Sequence, residues 1–124
     1  GPVPGGWQLE TGQFRTVFPA GFVLYSTPAD STSPFDLVGP GSSQIFVQSP
    51  PEIPPPEGMC APGQRIIKSG DHWVEMDYLH QGQQWWQRHQ VSGRFVFSAQ
   101  APSESQSVAL GALKAVLDSL ILLG

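Results

Sequence analysis

The chain of 124 residues and 13.4 kDa has the size of one domain, and such a chain hides roughly two-thirds of its unfolded surface without help from disulfides. Charged residues make up only 13% of it, while 14 Gly and 13 Pro interrupt it often, a composition that favours strands and loops over a helical bundle. Six Lys and Arg against ten Asp and Glu leave a net charge of −4 with no basic cluster, which argues against nucleic acid as a partner and against binding to anionic membranes.

The opening Gly1-Pro2 resembles the remnant left by a tag-removing protease, so residues 1–6 are expected to be a scar or a flexible terminus and 7–124 a single domain. Trp7 to Glu10 and Gln13 to Phe18 alternate around Thr11-Gly12 and predict a hairpin. Phe22 to Tyr25 forms a further apolar strand. Ser26 to Pro34 has no periodicity and reads as a loop. Phe35 to Val38 and Gln44 to Gln48 are short strands separated by Gly39-Pro40-Gly41-Ser42-Ser43, which breaks both helix and ladder.

Ser49 to Gln64 contains six prolines. It reads as a docking motif or as a long surface connection, and the absence of flanking basic residues favours the connection. Neither side of it is self-sufficient, so a single domain carries a Pro-rich loop at 49–64. Arg65 to Lys68, His72 to Leu79, Gln84 to Val91 and Arg94 to Ala99 then follow with short turns between them, the pattern of an antiparallel meander. Val74, Met76 and Tyr78 share one face, expected to be the core side; Trp73, Glu75, Asp77 and Leu79 share the other.

From Ser103 the period changes. Ser103 and Gln106 have capping-box spacing, and Leu110, Leu113, Leu117, Leu120 and Ile121 fall on one stripe, predicting a helix over 103–122 that lies on the sheet. The apolar run from Val108 is too short to span a bilayer and carries Lys114 and Asp118, so no membrane insertion is expected. The fold class is therefore α+β: an antiparallel β-sheet with a C-terminal amphipathic helix packed on it, an α/β/α-like sandwich.

Chemistry is sparse. Cys60 is the only cysteine, so no internal disulfide and no Cys-based zinc site can form. His72, His80 and His89 lie near Asp71, Glu75 and Asp77, but strand geometry does not bring the three rings to one atom, and no metal is assigned. Asp71-His72 has no nucleophile elbow beside it, and no phosphate-cradling glycine loop is present. No catalytic residue and no cofactor are assigned. The most distinctive stretch is Trp85-Trp86-Gln87-Arg88-His89. Alternation sends Trp85, Gln87 and His89 to one face and Trp86, Arg88 and Gln90 to the other, so one Trp is expected to leave the main core. It then either packs under the Pro-rich loop or, with Arg beside it, forms a binding hot spot. Trp85, Trp86, Arg88 and His89 are the candidate partner-binding residues.

Several short motifs carry a family resemblance: Pro19-Ala20-Gly21-Phe22, Tyr78, Gln87-Arg88-His89, Arg94 to Ala99 leading into Ala101-Pro102, and the closing Leu117-Asp118-Ser119-Leu120. Together they resemble the PsbP and DcrB-like superfamily, whose fold is shared with a Ran-binding nuclear import factor. The resemblance implies an antiparallel sheet flanked by helices and a non-catalytic accessory or assembly role in a larger complex, with a protein as partner. A small-molecule or sugar carrier and a metal-dependent hydrolase are the alternatives.

Overall fold

The computed structural model describes residues 2–3, 5–25 and 35–123; the loop expected over Ser26 to Pro34 lies outside them. In chain order the elements are β1 (Pro2–Val3), β2 (Gly6–Glu10), β3 (Phe14–Pro19), β4 (Val23–Tyr25), β5 (Asp36–Gly39), β6 (Ser43–Gln48), β7 (Arg65–Ser69), β8 (Trp73–His80), β9 (Gln83–Ser92), β10 (Phe95–Pro102), α1 (Gln106–Asp118) and β11 (Ile121–Leu122). A large antiparallel sheet has the order β4-β5-β6-β10-β9-β8-β7, and a small one the order β1-β2-β3-β11. Every predicted strand among the described residues is present. Pro2–Val3, expected to stand apart from the fold, pairs with Gly6 and Trp7 at the edge of the small sheet.

Local turn chemistry builds the meander. Gln81 and Gly82 both have positive φ, 52° and 77°, the two-residue turn that matches strand twist and folds β8 directly onto β9. Register is continuous from Trp73 opposite Gln90 to His80 opposite Gln83. The centre of the sheet is non-local, because β6 pairs with β10 from Gln48 opposite Val96 to Gln44 opposite Gln100.

One face of the large sheet is covered by α1 and β3. Phe95, Phe97, Ala99 and Ala101 of β10 point to it, with Leu37, Ile45, Val47 and Trp86 from neighbouring strands. Phe14 of β3 is fully buried, its ring edge-on to Phe35, Phe95 and Phe97 at centroid distances of 5.7, 5.2 and 5.7 Å, an arrangement that adds to plain area burial. Gly39 is needed here for close approach: a Cβ at this position would overlap the Phe22 ring.

The helix departs from its predicted limits. Ser103–Ser105 is a 3-10 turn, α1 spans Gln106–Asp118, and no side-chain cap forms at its N-terminus. Its deeply buried residues are Ala109, Ala112, Leu113 and Val116, with Leu110, Leu117 and Leu120 packed at the margin. The small side chains of Ala109 and Ala112, with Ala99 and Ala101 on the sheet, let the helix sit close to β10. At its other end the Ser119 hydroxyl donates to the Ala115 carbonyl and accepts from the Val17 N–H, each at 2.8 Å, which ties the helix terminus to β3. Ile121 and Leu122 then leave helical geometry to pair with Arg15 and Phe14; the unfilled ladder of β3 overrides the continuing apolar period.

The opposite face is covered by the Pro-rich segment rather than by a helix. Its 3-10 turn Pro56–Met59 packs on β7, β8 and β9. Val74 and Met76 are fully buried, yet they lie on this side and stand apart from the main core cluster. The expected core side is thus a second, smaller interior, and the main core lies on the face that carries Trp86.

Candidate functional site

Strand β9 carries all four candidate partner-binding residues, and its alternation places them as the sequence indicates: Trp85 and His89 on the Pro-rich side, Trp86 and Arg88 on the helix side. Their accessibility differs sharply. Trp86 is 1% exposed inside the main core and His89 is 8% exposed, so neither offers a free surface to a partner. Trp85 and Arg88 are half-buried.

On the helix side a charged cluster is built around Glu75, which is 2% exposed. Arg88 Nη1 donates to Glu75 Oε1 at 2.7 Å, Trp86 Nε1 donates to Oε2 at 3.4 Å, and Lys68 Nζ lies 3.7 Å from the same oxygen. The Arg88 guanidinium also donates to Gln90 Oε1 through Nε and Nη2 and stands 4.2 Å over the Trp73 ring. A buried carboxylate is tolerable only when paired in this way, and the planar guanidinium suits pairing and stacking together. Farther out, Arg65 donates to Asp77 at 3.0 and 2.7 Å, and this hydrogen bond holds the Asp77 carboxyl below its ordinary pKa. Beyond the helix, which packs on β3, β6 and β10, this half of the face carries Arg88, Trp73, Arg65 and the exposed Leu79.

On the Pro-rich side His89 Nδ1 and Ser98 Oγ are 2.6 Å apart. Burial pushes the His89 pKa down to about 4, so the ring is neutral at ordinary pH. It lines a cleft of about 220 Å³ with Gln48, Pro50, Pro54, Met59 and Val96. Gln64 of the Pro-rich segment donates to Gln87 at 2.7 Å and ties this layer to the strand. Trp85 Nε1 is buried without an acceptor among the described residues, and its ring meets His80 edge-on at 6.2 Å. Burial also raises the Tyr78 pKa. Ser98 is fully buried, so the Ser98–His89 pair presents no nucleophile to a substrate. Among the described residues no group of His, Cys, Asp and Glu could hold a metal ion, and no helix is long and apolar enough to cross a membrane.

A second feature was not legible as a site. Trp7 and Leu9 of β2, Phe18 of β3, Phe22, and Val23 and Leu24 of β4 line an apolar groove of about 360 Å³ together with Gln8. The signal in the sequence was the unalternating run Phe22 to Tyr25, but what it faces depends on the small sheet.

No family model matches this sequence, and no curated protein does. Solved structures share its fold. A protein from Bacteroides thetaiotaomicron superposes with a TM-score of 0.55 at 12% identity, over 97% of this chain and 49% of the other, so the chain spans about half that protein's length. Cyanobacterial PsbP from Synechocystis sp. PCC 6803 superposes with a TM-score of 0.54 at 4% identity, over 98% of this chain and 95% of the other. LpqN of Mycobacterium tuberculosis, a protein involved in cell envelope biogenesis, gives 0.49 at 14% identity over 90% and 83%. The fold is therefore PsbP-like: α+β, with a C-terminal helix on an antiparallel sheet.

Proposed function

We propose that the protein is a non-catalytic binding module that serves a larger protein assembly, and that the β8–β9 ribbon is its partner surface. Arg88, with Trp73 and Leu79 on the same helix-side face of the ribbon, supplies the contacts, while Trp86 and His89 hold the strand from within and Trp85 lies on the opposite, Pro-rich side. The observation that carries this reading is the Arg88 guanidinium stacked on Trp73 and fixed by buried Glu75 and Gln90. Arg and aromatic side chains held rigid at a surface lose little freedom on binding and commonly dominate interface energetics. The PsbP-like fold is compatible with an accessory role, although fold by itself does not carry function.

The test is affinity capture from the source organism with wild-type protein and Leu79→Asp, a change at a position that is 70% exposed on the ribbon. The reading predicts a protein held at stoichiometric level by the wild type and lost by the variant, with the melting temperature unchanged. Equal capture by both would refute the ribbon as the docking surface, and saturable binding of a free sugar with no protein retained would favour a carrier.

A further inference from the structure

The two edges of the large sheet are β4 and β7, and they are defended very differently. At β7 the ladder is interrupted by a register shift between Ile66 and Lys68, and Arg65 and Lys68 place charge along the edge, with Arg65 paired to Asp77. A bulge and edge charges are the means by which sheets refuse a further strand. At β4 neither is present. Val23, Leu24 and Tyr25 are 63%, 54% and 60% exposed, they pair with β5 on one side only, and they include no charge and no proline. In an antiparallel strand alternate residues turn their N–H and C=O away from the neighbour, and among the described residues no strand receives those of β4.

We propose that the outer edge of β4 accepts an extended, uncharged segment of another protein as an eighth strand, at a site separate from the β8–β9 ribbon. The backbone edge selects a strand, since neither an acyl chain nor a small apolar molecule can complete a ladder. The groove beside it selects side chains. Leu24 shares a face with Leu37, and the groove walls of Trp7, Leu9, Phe18 and Phe22 lie along that edge without a charged residue. An incoming strand sends every second side chain to one face, so apolar residues at alternate positions enter the groove and the intervening ones stay in water. This is strand addition, in which main-chain bonds give affinity and alternate pockets give specificity. A second copy of this chain is a poorer occupant, because among the described residues its own β4 offers only three for pairing, fewer than are needed to cover both strand and groove.

The test is selection from a displayed library of random peptides of about nine residues, long enough to cover strand and groove, followed by titration of the enriched peptide in amide NMR spectra. The proposal expects enriched sequences with apolar residues at alternate positions and no charge, shifts confined to β4, β2, Phe18 and Phe22, and affinity weakened about tenfold or more by Leu24→Lys and by Val23→Lys. Both positions are exposed, so both variants are expected to keep the wild-type amide spectrum outside the groove, which checks that they fold. A copy of the peptide with alternate backbone amides N-methylated keeps its side chains and should not bind. Enrichment of no such pattern, binding unaffected by both lysines, or equal binding of the methylated copy would each overturn the proposal. A concentration-dependent dimer abolished by Leu24→Lys would overturn it in favour of self-association. Leu79→Asp is expected to leave peptide binding unchanged, so this result and that for the ribbon stand or fall separately.

Discussion

The two faces of β9 are one strand apart in thickness and opposite in construction. On one, Trp86 enters a core assembled from β3, β5, β6, β10 and α1, and the charge beyond it is neutralised by Arg88, Lys68 and Glu75 acting together. On the other, Gln87 and His89 are buried under a layer with little regular backbone pairing, held by the Gln64–Gln87 hydrogen bond and by Pro50, Pro54 and Met59 around the His89 cleft. Burial is nearly equal, but its origin is not: the helix side is closed by packing from every part of the chain, the Pro-rich side by one segment laid over polar groups. Layers of the second kind open locally at lower cost.

The largest test of this contrast is Trp86→Ala, expected to cost about 4 kcal/mol in urea unfolding because it empties the core edge and removes a donor to Glu75. A loss under about 1 kcal/mol would show that the helix-side core does not depend on β9. Next, Arg88→Ala should cost about 3 kcal/mol by leaving Glu75 buried with the more distant Lys68 as its cation. Adding Glu75→Gln should return part of that loss, as a double-mutant cycle would record.

The Pro-rich side should respond to pH instead. The folded-state pKa of His89 is about 4, below its ordinary value of 6.5, so the unfolded chain binds the proton more readily. This contribution is complete above about pH 6.5 and is lost as the pH falls toward 4. Stabilities from urea unfolding at pH 7.5 and 5 should differ by about 2 kcal/mol, and His89→Gln should remove most of that difference. The smallest effect is expected for Gln64→Ala, about 1 kcal/mol, with faster amide exchange across 50–64 and none in β10. Uniform acceleration of exchange would erase the distinction between the layers.

Much of this was legible in particular residues. Gln81-Gly82 and Ser92-Gly93 announced the meander, and period two put Trp85 and Trp86 on opposite faces. Alternation cannot tell which face a distant helix will take, however. Val74 and Met76 mark one face of β8 as apolar, while Glu75 and Asp77 mark as polar the face that the register shares with Trp86; only the arrival of α1 on β10 and β6 decides which is the main core. The helix end was hidden for a similar reason. Leu120 and Ile121 continue the stripe, and what stops the helix is Ser119 meeting Val17 and the open ladder of β3. The β2–β4 groove is an encounter of two segments that no local pattern connects.

The pairing of β6 with β10 has a kinetic consequence. Gln44 and Gln100, side-chain partners across that ladder, are 56 positions apart, whereas each junction from β7 to β10 closes over a short turn. Loop-closure entropy must be met before distant strands reward it, so the β7–β10 meander is expected to assemble first and to serve as the template on which β5 and β6 dock. Ile45→Val in β6 would then act on the unfolding limb of a chevron plot and leave the refolding limb almost unmoved, while Val91→Ala would slow refolding.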